Sequence, residues 1–208
     1  VVINLAGFSI AAKRWSQSVK QELENSRIQS TKTIVKYLPE MGAKTFISAS
    51  AVGYYGFRGD EIIDETFDHG NDFLSMLAAN WENATKGAIS EYTSILRFGV
   101  VIGENGGILQ RFLTPVKYGL SKRIGTGKQW ISWVDIDDVI NSINYILEKK
   151  LSGVYNVTSP SPERNEDFVS TISDIVKRKQ IISVPSFAIK ILLGEMGEAL
   201  ILNGQRAI

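Results

Sequence analysis

Cysteine is absent from the 208 residues. That excludes disulfides, thiolate catalysis and cysteine-based metal sites, and it fits a reducing, cytoplasmic setting. Histidine occurs once, as His69 between Asp68 and Gly70, a loop position that reads as solvent-facing, so no metal centre is expected. Neither sign of charge dominates: 23 Lys and Arg against 22 Asp and Glu give +1. With no basic block, a nucleic-acid or anionic-membrane surface has no support. No apolar run approaches the ~20 residues that span a bilayer. The dinucleotide fingerprint G-x-G-x-x-G is missing too. Gly103, Gly106 and Gly107 have the wrong spacing, and Gly125-Thr126-Gly127 follows no strand, so neither is a phosphate cradle.

What is present suits a packed α/β fold. The hydrophobic fraction is 44% and the charged fraction 22%, ordinary globular values. Val1 to Leu5 is a nearly all-apolar run closed by Ala6-Gly7, as expected of a strand buried on both faces of a parallel sheet. Ser16 is placed to cap a long helix through about Leu38, broken near Asn25-Ser26 and closed by Pro39 and Gly42. Thr45 to Ala49 reads as a second strand. Asp72 caps a helix predicted through about Glu91, with Phe73, Leu77, Trp81 and Ala84 on its apolar face. A third strand, Thr93 to Phe98, runs on into Gly99 to Gly103.

Gly106-Gly107 is expected to open a short helix from Ile108 to about Lys117, and Gly119 to Gln129 reads as a loop. Trp130 to Val134 reads as a small strand, and Asp135 to Lys149 as a helix with apolar Ile136, Val139, Ile140, Ile143 and Ile146. Gly153 to Val157 is a fourth strand. Asn165 reads as the cap of a helix to about Lys177, and Pro185 begins another through Leu193. Strands alternating with helices imply a parallel sheet. The chain starts inside an apolar run and stops without a closing element, so both ends read as cuts through a larger domain. On that reading the pyrophosphate loop lies before residue 1, and the isolated chain is expected to bind dinucleotide weakly and to self-associate through its first strand.

Several residues carry a functional and a plain alternative. The turn Asn4-Leu5-Ala6-Gly7 lets a flat ligand approach the backbone at a strand's carboxyl end, or is an ordinary strand-to-loop turn. The next strand ends in Ser48-Ala49-Ser50-Ala51-Val52-Gly53-Tyr54-Tyr55-Gly56. There a hydroxyl can polarise a substrate oxygen, and Tyr54 or Tyr55 can supply a phenol or merely pack. Arg14, Arg27 and Arg97 can grip a phosphate or carboxylate, or form ion pairs, the reading favoured for Arg14 and Arg27. Asp135, Asp137 and Asp138 open a helix, where capping explains them better than acid–base work. Trp130 and Trp133 either line a sugar or nucleotide pocket or pack.

An ordered set of segments is more specific: "NLAG", "TFISASAVGYYG", "LRFGVVIG", "GTGKQWISWVDIDDV" and "GVYNVTSP". This set resembles the NAD(P)-dependent epimerase/dehydratase branch of the extended short-chain dehydrogenases. "KRW" at 13–15, "SR" at 26–27, "WE" at 81–82, "GGIL" at 106–109 and "GQR" at 204–206 are similar to an atypical, YfcH-like subgroup of sugar-nucleotide epimerase relatives, whose C-terminal segment is a domain of unknown function. The resemblance covers essentially the whole chain. It implies a catalytic hydroxyl at Ser50; beyond what the resemblance implies, Tyr54 or Tyr55 is expected to stand in as the acid. It places Asn4, Ala6, Gly7 and Ser48 along the cofactor and Gly99 and Val100 near the nicotinamide. The family's Tyr-x-x-x-Lys, counted back from Glu82, falls on Leu74 and Ala78, which cannot transfer protons or hold a ribose.

The expected fold is therefore an α/β, Rossmann-like three-layer sandwich carrying the second half of a parallel sheet, with a small mixed lobe. Residues 1–104 form the partial cofactor-binding domain, and residues 105–208 interweave its last elements with the lobe. The expected function is NAD(P)-dependent oxidoreductase or epimerase-like chemistry on a small molecule, a nucleotide sugar being the class implied, with NADP the preferred cofactor form and an oligomer left open. The alternative is a non-catalytic NAD(P)-binding sensor or interaction protein.

Overall fold

Alternation along one strand sets the plan of the molecule. In Thr45–Ala51, even positions point to one face of the sheet and odd positions to the other. The computed structural model describes residues 1–104, 106–107, 109–119, 123–179 and 182–208. It opens with β1 (Val2–Asn4), α1 (Gln17–Tyr37), β2 (Thr45–Ala51), a 3-10 turn over Val52–Tyr55, and β3 (Ile62–Ile63). Next come α2 (Phe73–Asn83), β4 (Tyr92–Phe98), β5 (Val100–Gly103), β6 (Gly106–Gly107) and α3 (Leu109–Lys117). Then follow β7 (Trp130–Ile131), β8 (Trp133–Asp135), α4 (Ile136–Lys149), β9 (Gly153–Val157), β10 (Glu163–Arg164) and α5 (Asn165–Ile175). The chain ends with α6 (Ser186–Leu193), the short α7 (Glu195–Gly197), a π-turn over Glu198–Leu202, and β11 (Arg206–Ala207).

The main sheet is wholly parallel, in the order β1-β2-β4-β9. Parallel neighbours need crossovers, and α1, α2 and α4 lie in those connections. Ile47, Leu96 and Val157 pack with Val134, Val139 and Ile146, so α4 covers one face. On the opposite face Phe46 packs with Leu38 and Ala43, beneath α1 and α2. Fully burying a side chain such as Phe46 or Ile47 stabilises by about 1.5–3 kcal/mol. The same face also buries Asn4, Ser48, Ser50 and Arg97, and that polar strip positions the site.

The lobe is built from residues further along. A three-stranded sheet, β6-β5-β8, pairs β5 with β8 in parallel and with β6 in antiparallel. Two-stranded pairs β10-β7 and β11-β3 flank it. Phe112, Val116, Ile131, Phe168, Val169 and Ile172 form its core. No helix among the described residues is long and apolar enough to cross a membrane.

The caps at Ser16, Asp72 and Asp135 are formed, each side chain accepting from a backbone N–H of the first turn. Five local expectations need correction. Helix α1 runs unbroken through Asn25-Ser26, because Ser26 Oγ donates back to Leu23 O at 3.0 Å while accepting from Phe8 N at 2.9 Å. Helix α2 stops at Asn83 rather than near Glu91. Successive tight turns at Thr85 and Lys86 lead into Gly87, whose φ of +91° no helix accommodates. Gly106-Gly107 is a strand paired with β5 rather than a helix start, and Ile108 lies outside the described residues. Trp130 to Val134 is two strands, since β7 pairs with β10 and β8 with β5. Asn165 does not cap α5. It is buried and its Oδ1 accepts from Ile124 N at 3.1 Å, with Arg164 at the cap position.

Gly99 is the pivot between the two sheets. Its N–H donates to Val157 O, and Val100 N donates to Ser132 O at 2.7 Å. A Cβ at Gly99 would stand 2.3 Å from Ser132 O. Gly99→Ala is therefore expected to lower stability by about 1–3 kcal/mol in the ligand-free protein, measured by urea unfolding. Unchanged ligand-free stability would contradict this packing reason for the glycine.

Candidate active site

Register brings the first two groups together: Ser50 on β2 lies beside Arg97 on β4. Helix α2 crosses above them and sets Glu82 over both. Arg97 donates to Glu82 through a fork, Nε to Oε1 and Nη2 to Oε2, each at 2.8 Å. The side chains are only 5% and 10% exposed, so the pair is desolvated and its geometry decides whether it is tolerated. Ser50 Oγ donates to Glu82 Oε1 at 2.6 Å. Arg97 Nη1 donates to the Tyr55 hydroxyl at 2.9 Å, and that hydroxyl donates to Asn156 Oδ1 at 2.7 Å. Asn156 Nδ2 in turn donates to Ile208 O at 2.9 Å, and its N–H to Glu65 Oε1. Burial works against the Arg97 charge, and Glu82 with Tyr55 more than offsets it, so the guanidinium titrates above its ordinary value. Burial pushes the Tyr55 phenol up, with Arg97 opposing.

Arg97 also lies 3.5 Å from the centroid of the Tyr54 ring. Tyr54 meets Tyr55 and His69 edge-on. Tyr54 is half-buried, and its hydroxyl makes no hydrogen bond among the described residues. Tyr55 is fully buried.

A second polar chain runs beside the first. Asn4 Nδ2 donates to Thr31 Oγ1 at 2.8 Å and to Ser48 Oγ at 3.4 Å. Trp81 Nε1 donates to the same Thr31 oxygen at 3.0 Å. Asn4 Oδ1 accepts from Ala6 N at 3.1 Å, which fixes the turn ahead of Gly7. Asn4 and Ser48 are thus buried beneath the turn, while Ala6 and Gly7 form its exposed crest. Gly99 and Val100 sit at the junction of the two sheets. Leu74 lies opposite Gly53, and Ala78 is buried.

The three arginines sort differently from expectation. Arg97 forms the buried ion pair, whereas neither Arg14 nor Arg27 has a carboxylate within 4.0 Å among the described residues. Trp130 is flanked by Arg164 at 3.8 Å and Arg206 at 4.4 Å, with Asp60 bonded to both Trp130 and Arg164. Arg164 holds the Asp60 carboxyl below its usual range. Sequence reasoning missed Asn156 and Thr31 altogether. Arg97 carried a signal, since a cation inside an otherwise buried strand needs an anion; Asn156 carried none.

Residues 1–158 match the NAD dependent epimerase/dehydratase family, and residues 184–208 match a domain of unknown function, DUF1731. An epimerase family protein of Mycobacterium leprae (strain TN) is 39% identical over 210 residues, covering 100% of this chain and 68% of that protein. The epimerase family protein YfhF of Bacillus subtilis (strain 168) is 38% identical over 214 residues, covering 100% of this chain and 70% of YfhF. The crystal structure of human epimerase family protein SDR39U1 (isoform 2) with NADPH superposes with a TM-score of 0.93 at 29% identity, covering 99% of this chain and 72% of that one.

The buried pair generates a direct test. Glu82→Gln keeps the shape but leaves Arg97 without a counter-charge, so stability is expected to fall by about 3–5 kcal/mol in denaturant unfolding. A loss below about 1 kcal/mol, the range of exposed pairs, would show that the pair is not what organises this face.

Proposed function

The chain belongs to the NAD dependent epimerase/dehydratase family, and we propose that it is an NAD(P)-dependent oxidoreductase or epimerase acting on a small molecule, with nucleotide sugars as the leading substrate class. Tyr54 carries this reading. Among Ser48, Ser50, Tyr54 and Tyr55, three hydroxyls are spent on Asn4, Glu82, and Arg97 with Asn156. Of these four, the Tyr54 hydroxyl alone makes no hydrogen bond among the described residues, on a ring braced by Arg97 at the carboxyl end of β2. Sheet ligands sit at that end, and a phenol there can give or take a proton at a substrate oxygen. Ser50 has one proton to donate, and it goes to Glu82. Its part is to hold Glu82, and through Arg97 the Tyr54 ring, in place.

The turn at Ala6 and Gly7 fits a dinucleotide. It offers backbone without bulk, and Asn4 fixes its shape from below. Ala6 and Gly7 would line the cofactor, with Asn4 and Ser48 positioning them. The chemistry that the nicotinamide supplies when bound is hydride transfer. The human relative solved with NADPH supports NADP as the form used. A second reading, NAD(P) binding without catalysis, is favoured by the apolar side chains of Leu74 and Ala78.

The test uses the protein as its gene encodes it, NADPH, and a panel of nucleotide sugars followed by nicotinamide absorbance. Tyr54→Phe is expected to lower turnover by about 100-fold or more with NADPH affinity unchanged. Wild-type protein that binds NADPH and turns over no member of the panel supports the second reading. Equal turnover by Tyr54→Phe and wild type, or no NADPH binding, contradicts the proposal.

A further inference from the structure

Helix α1 turns one face toward the sheet, and Leu23, Arg27 and Thr31 share it at four-residue spacing. Leu23 and Thr31 are fully buried. Arg27 is half-buried, and its guanidinium lies along the Gly7 backbone: a Cβ at Gly7 would stand 3.1 Å from Arg27 Cζ. Its other flank rests on the Trp81 ring, 5.2 Å from the centroid. Nη1 donates to Leu23 O at 3.2 Å. A guanidinium carries five N–H donors, and this is the one hydrogen bond the Arg27 guanidinium makes among the described residues. No carboxylate neutralises it there, and burial without a counter-charge lowers its pKa.

A planar cation held this way is costly to desolvate unless an anion completes it. Everything around it is arranged to hold it still. Ser26, the preceding residue, pins Phe8 N, Asn4 pins Ala6 N, and Thr31 pins Trp81 Nε1. The absence of a side chain at Gly7 leaves room for the guanidinium at the carboxyl end of β1. We propose that Arg27 is the anchor of a diphosphate lying across the Ala6-Gly7 turn. A forked guanidinium matches phosphate oxygens better than a single ammonium does. The diphosphate belongs either to the dinucleotide or to a nucleotide-sugar substrate, so this inference rests on the cofactor reading above only in its first arm.

The experiment titrates NADPH, a uridine diphosphate sugar and inorganic pyrophosphate into wild type, Arg27→Gln, Arg27→Lys and Gly7→Ala, using the protein as its gene encodes it. Arg27→Gln is expected to weaken pyrophosphate and one of the two nucleotides by about tenfold or more, with Arg27→Lys losing less. Weakened NADPH assigns the site to the cofactor's diphosphate, and weakened sugar nucleotide assigns it to the substrate's. Gly7→Ala displaces the guanidinium without removing its charge and is expected to follow Arg27→Gln; since Gly7 also lines the proposed cofactor path, its affinity for pyrophosphate, not for NADPH, decides the matter if Arg27→Gln fails to fold. Wild type that binds pyrophosphate through Arg27 but not NADPH would support this inference and overturn the cofactor reading. NADPH and sugar nucleotide bound equally by wild type, Arg27→Gln and Gly7→Ala would overturn the inference and leave the cofactor reading standing. Binding of none of the three by wild type overturns both.

Discussion

The buried fork between Glu82 and Arg97 is the constraint on which this end of the molecule depends. One partner stands on a central strand and the other on the helix above it. Removing both charges from water is expensive, and only tight, fully bonded geometry offsets that. The remaining donors of Arg97 and the carboxylate oxygens of Glu82 therefore recruit neighbours: Ser50 from β2, Tyr55 from the 3-10 turn, and through it Asn156 from β9. Four segments far apart in sequence, the β2–3-10 stretch, α2, β4 and β9, are bound to one ion pair. The last residue joins them, since Ile208 O accepts from Asn156.

That wiring has a functional consequence. A hydroxyl locked into a buried network is a poor proton donor to anything else, because its proton already has an acceptor. The network claims Ser50 and Tyr55, and it braces Tyr54 by its ring while leaving its hydroxyl free. The same economy shapes the neighbouring turn, where Asn4, Ser26 and Thr31 are spent on holding backbone and Trp81. Rigid support below and uncommitted groups above is the arrangement a binding site requires, since ligand contacts then need little reordering.

Much of the fold was legible in the sequence because it is local. The four apolar runs became the four strands of the main sheet, and Ser16, Asp72 and Asp135 cap helices as their chemistry dictates. The failures have physical reasons. The short strands around Trp130 and Gly106 exist through pairing with distant segments, which no periodicity announces. Asn165 looked like a cap because that is where asparagine usually sits, but the Ile124 N–H claimed it. The site was legible only in outline. The Ser48-Ala49-Ser50 alternation in "TFISASA" puts two hydroxyls on one face, but nothing in it tells that Ser50 is wired to Glu82. Arg97 is the best clue the sequence offers, yet the ion-pair reading falls on Arg14 and Arg27, and of the three it is Arg97 alone that makes one among the described residues.

The central claim is that Tyr54 is the reacting hydroxyl, held by a network that does not itself react. A crystal structure of the protein with NADPH and a nucleotide sugar tests it most directly. The account predicts the Tyr54 hydroxyl within hydrogen-bond reach of the substrate oxygen beside the nicotinamide, with the Glu82–Arg97 fork and the Ser50 hydrogen bond unchanged. A nicotinamide placed away from Tyr54, or a Ser50 hydroxyl that leaves Glu82 to bond the substrate, would contradict it.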